Sequence, residues 1–240
     1  DSGVTGYASP VMKEVSPTSY KHAQNSLENY QAAIKKIKDA GFYVIGRITT
    51  FKDTYFITDH KEYAISNKNG TPMYHQKSYW PSAYNREVWE YNVSLAKEAV
   101  ELMGFNEIQF DYVRFPLGTE AEGAQYGVDM TVYPKDQAIS DFLQYAMDEL
   151  HAVGLPVTAD VFGTIMDNDV DAERVGQDYA VLGEMLDAIC PMVYPSHYAN
   201  GVFGLAVPDA QPYETILAAM KDSIADLSAV ALEEQAVVRP

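Results

Sequence analysis

Hydrophobic and polar positions along this chain alternate between a period near 3.6 and a period of 2, so helix and strand patterns follow one another. Over residues 24–40, Leu27, Tyr30, Ile34 and Ile37 fall at helical spacing with a Lys-rich opposite face, and Gly41 stops the run. Residues 42–51 are β-branched and aromatic and predict a strand. Asn85 is placed to cap a helix over residues 86–103, whose inner stripe is Val88, Asn92, Leu95, Ala99 and Met103. Gly104 stops that helix, and residues 104–116 predict a strand running into a proline. Further helices are predicted over 135–153, near 172–185 and over 212–227, the last with Pro212 at its first position. Strands are predicted over 155–163 and 187–194, and residues 236–240 read as one more beginning. The opening, residues 1–25, has no clear period and reads as a loop.

Five strands alternate with helices, the connections after strands being long and those before them short. This is the pattern of parallel βα units. Long loops at the carboxyl ends of strands are where barrels and open α/β sheets build their sites. No Gly-rich phosphate loop follows a strand, which disfavours a nucleotide-binding sheet. The expected fold is α/β, a (β/α)8 TIM-type barrel. Five strands cannot close the eight-stranded form, so residues 1–240 are expected to be one partial barrel domain.

Composition narrows the partners. The formal net charge is −17, from 34 acidic and 17 basic residues, which repels phosphate backbones and argues against nucleic acid. Eighteen tyrosines offer aromatic faces with polar edges, suited to sugar stacking as well as to ordinary packing. A lone cysteine, Cys190, excludes an internal disulfide and a cysteine-based zinc site. No apolar run is long enough to span a membrane, and the first residues lack a signal-peptide pattern. The residues call for no cofactor and no metal. Asp167-Asn168-Asp169-Val170-Asp171 mimics the start of a calcium loop, but Ala172 stands where a glycine is required.

The candidate chemistry lies in the strand of residues 104–116. Successive strand side chains point to opposite faces, so Ile108, Phe110 and Tyr112 share an apolar, helix-facing side and Gln109 and Asp111 the inner one. An inward carboxylate is costly without a partner or a task. Asp160 has the same inward parity on its strand, and Arg47, with Thr49, on the preceding one. Two carboxyl groups flanking a bond are what glycoside hydrolysis requires. If their strands are neighbours, the backbones lie about 4.8 Å apart, which suits the separation of about 5–5.5 Å used by retaining enzymes. Arg47 would hold Asp111 ionised, as nucleophile or charge stabiliser, with Asp160 as the acid. The bland alternative is a satisfied polar network of Arg47, Gln109, Asp111 and Asp160 in the barrel centre. Around them, Asp53, Trp80, Arg114, Tyr194, His197 and Tyr198 are candidate substrate contacts, Trp80 as stacking platform. For each there is a structural alternative: a surface salt bridge for Arg114, a solvated loop residue for His197, a loop anchor for Trp80.

Three segments also resemble signature strands of a bacterial family of glycoside hydrolase-like domains, formerly a domain of unknown function. They are Glu107-Ile-Gln-Phe-Asp-Tyr-Val-Arg-Phe-Pro116, Thr158-Ala-Asp-Val-Phe-Gly163 and Pro191-Met-Val-Tyr-Pro-Ser-His-Tyr198. The resemblance extends to Arg86-Glu-Val-Trp-Glu-Tyr-Asn92 and Phe203-Gly-Leu-Ala-Val-Pro-Asp209. It implies a (β/α)8 barrel represented by about strands 3–7, without the first two strands and the last, in an exported, extracellular or cell-surface protein acting on a polysaccharide. Residues 104–111 also look like the fourth strand of chitinase-type barrels, which carry their acid two positions beyond the final aspartate. Val113 stands there and argues against a chitinase mechanism. The other readings to be weighed are a carbohydrate-binding or scaffold barrel without turnover, and a Schiff-base aldolase for which Lys52 is the one strand-end lysine.

Overall fold

The computed structural model describes residues 6–118 and 121–240. Helices α1 (Pro10–Val15), α2 (Pro17–Lys21) and α3 (Leu27–Asp39) lead into strand β1 (Ile45–Thr49). Helix α4 (Thr54–Asp59) and a hairpin of β2 (Tyr74–His75) and β3 (Ser78–Tyr79) fill the connection to α5 (Arg86–Met103) and β4 (Glu107–Asp111). Then come α6 (Lys135–His151), β5 (Val157–Phe162), α7 (Asp169–Val175), α8 (Tyr179–Met185), β6 (Ala188–Met192), α9 (Pro212–Leu227) and β7 (Val237–Val238). The main sheet runs β1-β4-β5-β6-β7 with every pair parallel. It is the strand arrangement of a partial (β/α) barrel.

Local chemistry explains the well-defined boundaries. The Asn85 side chain accepts from the N–H groups of Glu87 and Val88, and Gly104 closes α5 in the left-handed region at φ 66°. One face of the sheet packs on the helices: Ile108 and Phe110 of β4 and Val157, Ala159 and Val161 of β5 are fully buried. They meet Phe142, Leu143, Ala146 and Leu150 of α6 in one continuous core, where Phe110 and Phe142 pack edge to face at 5.3 Å. The opposite face carries polar side chains, and this division of β4 and β5 is what period-2 parity predicts.

Three regions depart from the sequence-based expectation. The described part of the opening stretch, from Gly6, is not all loop: α1 and α2 form there, with Pro10 and Pro17 as first helical residues. Proline is compatible with that position because its missing N–H has no intrahelical partner to lose. Glu98 anchors the segment by accepting from Tyr7, Ser9 and the Val11 N–H at 3.0, 2.5 and 2.7 Å. The helix expected near 172–185 is two helices, broken at Gly176 with φ 72°. The long connection expected after the strand of residues 42–51 is not all loop: it contains α4 and the hairpin, whose two turn residues, Gln76 and Lys77, take positive φ, the requirement of a tight two-residue connection.

The close approach of β5 and β6 at their carboxyl ends depends on Gly163, where a Cβ would run into the Met192 carbonyl. Backbone cannot yield as a side chain can. Gly163→Ala is expected to destabilise the fold by about 1–3 kcal/mol, read as a lower urea midpoint with unchanged slope.

Candidate active site

Site geometry begins with register. Thr49 of β1 is level with Asp111 of β4, and Phe110 is level with Ala159 of β5, so Asp111 and Asp160 occupy the same level of neighbouring strands. Both are near the carboxyl ends of their strands. Arg47 projects between them: its Nη2 donates to Asp111 Oδ2, and its Nε lies 3.8 Å from Asp160 Oδ2. Gln109 Nε2 donates to Asp160 Oδ1 at 2.8 Å, and the Tyr112 N–H to Asp111 Oδ1 at 2.6 Å. The four inward residues singled out by parity are therefore one connected group.

The two carboxyl groups differ in surroundings. Asp111 is buried, with one oxygen on a cation and the other on a backbone N–H. Asp160 has no contact as close with the cation. Burial raises its pKa from the usual 3.8 to about 6, and the nearby Arg47 charge opposes that rise. A carboxyl group able to hold a proton near neutrality thus stands beside one that is ion-paired.

The same inner face has a lower layer that sequence reasoning did not identify. Glu107, fully buried at the start of β4, accepts from Arg239 Nη1 at 2.6 Å, from the Thr158 hydroxyl at 3.0 Å and from the Tyr43 hydroxyl at 3.0 Å. Its parity with Gln109 and Asp111 was the available signal.

The candidate contacts divide. Tyr194, 48% exposed, and the exposed His197 sit at the mouth beyond β6, their rings 5.0 Å apart edge to face. Phe162, two residues beyond Asp160, stacks near His197 at 6.2 Å and joins them; spacing of two from Asp160 could have identified it. Trp80 is not a stacking platform. It is fully buried, its indole N–H donating to the His75 carbonyl at 3.0 Å, so it anchors the hairpin and offers no face to a sugar. Tyr198 is also buried, its hydroxyl donating to the Gly163 carbonyl at 3.0 Å. Asp53 caps α4, accepting from Tyr55 and Phe56 at 2.9 and 3.0 Å, and burial pushes its carboxyl up. Arg114 is buried rather than at a surface salt bridge, and burial lowers its pKa to about 10.

Tyr112 does not lie on the helix-facing side. Its φ of 51° turns the backbone out of the strand, and Val113 enters the core in its place, fully buried. No carboxylate therefore stands at that position. Gln177, buried after the Gly176 break, ties the ends of both strands by donating to the Val113 carbonyl and accepting from the Phe162 N–H. Nothing in its local sequence marks it. Among the described residues, no group of three or more His, Cys, Asp or Glu is arranged to hold a metal ion, and no helix is long and apolar enough to cross a membrane.

The raised pKa of Asp160 gives a stability prediction with a definite sign. The folded carboxyl binds its proton more tightly than the unfolded one, so its favourable contribution is full below pH about 4 and is lost as pH rises through about 6. Asp160→Asn, permanently neutral, should be more stable than the parent at pH 7.5 by about 1–3 kcal/mol. The difference should shrink towards zero at pH 4, as measured by urea unfolding at both values.

No curated protein matches the chain in sequence. Among solved structures, a hypothetical protein from Ruminiclostridium thermocellum is 32% identical with a TM-score of 0.54, the match covering 66% of this chain and 77% of that one. A "putative sporulation-specific glycosylase" from Bacillus subtilis is 17% identical with a TM-score of 0.51, over 88% of this chain and 55% of that one, a likeness of fold. The chain spans about half the length of that Bacillus protein. The family model described as "Putative glycosyl hydrolase domain" matches residues 1–240, and the chain belongs to that family.

Proposed function

We propose that this domain hydrolyses O-glycosidic bonds of a polysaccharide, with Asp111 as nucleophile or charge stabiliser and Asp160 as acid and base. The observation that carries the reading is the pair itself: two carboxyl groups level on adjacent strands, one ion-paired through Arg47 and the other raised to about 6 by burial. Environments that separate two carboxyl groups in this way divide the acid and base roles between them.

In this reading Asp160 gives its proton to the glycosidic oxygen as the bond from the anomeric carbon to that oxygen breaks. Gln109 occupies Oδ1 of Asp160, which leaves Oδ2 to carry the proton. Asp111 meets the positive charge developing at the anomeric carbon, its orientation set by Arg47 and the Tyr112 N–H. Water then supplies the hydroxyl group of the product, with Asp160 accepting its proton. Tyr194 and His197 at the mouth are the exposed groups placed to contact sugar hydroxyls or ring faces.

Lys52 is buried against the Tyr112 and Trp80 rings, and the hydrolase reading needs no Schiff base from it. A binding barrel without turnover keeps Tyr194 and His197 but requires no carboxyl pair, so activity separates the two readings.

Full-length protein and Asp111→Asn are to be compared on a panel of bacterial and plant polysaccharides. Reducing ends released by the parent and lost by more than about a hundredfold in the variant, with an unchanged circular dichroism spectrum, are expected. Equal release by both would remove Asp111 from the mechanism. Binding without release by either would leave a sugar-binding barrel. For the active parent, kcat/KM should fall about tenfold per pH unit above pH about 6, where Asp160 loses its proton. Asp160→Asn should abolish that limb along with most of the rate.

A further inference from the structure

Beside the candidate site stand two buried cations that have no carboxylate partner among the described residues. Lys52 and Arg114 are 9% and 6% exposed. Lys52 Nζ lies 4.6 Å from the Tyr112 ring centroid and 5.8 Å from that of Trp80. The Arg114 guanidinium carbon lies 5.3 and 5.2 Å from the same two rings and 4.7 Å from Phe162. Their common distance to the Tyr112 centroid limits the two charges to a separation of at most about 10 Å. Among the described residues, neither forms an ion pair with an Asp or Glu.

Backbone geometry brings them together. The N–H groups of Thr50 and Phe51 donate to the carbonyls of Asp111 and Tyr112 at 2.8 and 3.2 Å, which keeps the chain alongside β4 past the end of β1 and sets Lys52 next to Tyr112. Tyr112, in its left-handed conformation, is also the residue whose N–H holds Asp111. Phe162, under Arg114, is two residues from Asp160. The cations are thus joined to both candidate catalytic carboxylates through one residue each.

Ring faces attract cations, but they replace only part of the hydration lost on burial. A buried charge normally has a counter-charge. Arg114 donates from Nη1 to the Phe115 carbonyl at 2.9 Å, which leaves its Nη2–Nε edge without an acceptor among the described residues. That edge is a two-donor fork of the shape a planar carboxylate takes up. Lys52 also lines a cavity of about 220 Å³ together with Arg47, Thr49, Asp53 and, from α5, Asn92 and Leu95. The chain's net charge of −17 does not forbid an anion there, because at physiological salt distant charges are screened beyond about 8 Å.

We infer that Lys52 and Arg114 form a subsite for the carboxylate of a uronic acid unit, beside Asp111 and Asp160, so that the substrate is an acidic polysaccharide. Turnover of such a polymer rests on the hydrolase reading above; binding at the subsite does not.

The test titrates the full chain with D-glucuronate, D-glucose and glucose 6-sulfate by calorimetry, and repeats the series with Lys52→Met, which keeps the length and apolar stem. Glucuronate is expected to bind at least tenfold more tightly than glucose, with the ratio falling towards one in Lys52→Met. Equal affinity for the two sugars in the parent overturns the subsite, whatever the turnover experiments give, and so does a ratio that Lys52→Met leaves intact. A stronger response to the sulfate ester overturns the carboxylate assignment. In a parallel arm, a polyuronate and its carboxyl-reduced counterpart are offered to the parent. Release at least tenfold faster from the polyuronate supports the proposal. Selective uronate binding with no release from either polymer supports the subsite and sinks the hydrolase reading, which keeps the two failures distinguishable.

Discussion

The inner face of this sheet depends on one constraint: polar side chains placed inside a parallel sheet must find partners on other strands. Strand β4 carries three of them at successive inward positions. Glu107 is held by Arg239 and Thr158, Gln109 by Asp160, and Asp111 by Arg47. These bonds cross to β1, to β5 and to the segment just after β7, so together they specify which strands are neighbours and at what level. A one-residue slip of β4 would drive all three polar groups into the helix layer and bring Ile108 and Phe110 inside. Register and site chemistry are therefore the same requirement.

Around that face, the helical layer and the loops act as positioning devices. The Phe115 N–H donates to the Val175 carbonyl, and Gln177 links Val113 to Phe162. The short helices after β5 thereby hold the ends of β4 and β5 together where Asp111 and Asp160 emerge. Trp80, locked to His75, lies beside Tyr112, Lys52 and Arg114. The hairpin end thus packs on the residues that follow β1 and β4, while Tyr194 and His197 beyond β6 are exposed.

Much of this was legible from residues alone, for local reasons. Asn85 with Gly104, and Pro212, mark helix limits because capping and proline geometry involve only a turn of chain. The inward placement of Arg47, Gln109, Asp111 and Asp160 followed from strand parity, which a single strand contains. That the four join into one hydrogen-bonded group did not follow, because it needs the order and register of three strands. Trp80 and Tyr198 failed as exposed contacts for a related reason. An aromatic residue in a loop has the same local pattern whether it faces solvent or is buried, and only the packing of distant segments decides which.

By itself the sequence determined the alternation of helix and strand, the parallel α/β class, the apolar and polar faces of β4 and β5, and the residues able to do acid–base chemistry. Those properties arise from period, propensity and capping over a few residues. The tertiary structure alone decided that Tyr112 leaves the strand at φ 51°, that α7 and α8 separate at Gly176, and that Asp160 and Arg114 lose water. Solvation and cross-strand contact are properties of segments far apart in the chain. They arise only when the sheet assembles, and with them the different electrostatic surroundings of Asp111 and Asp160.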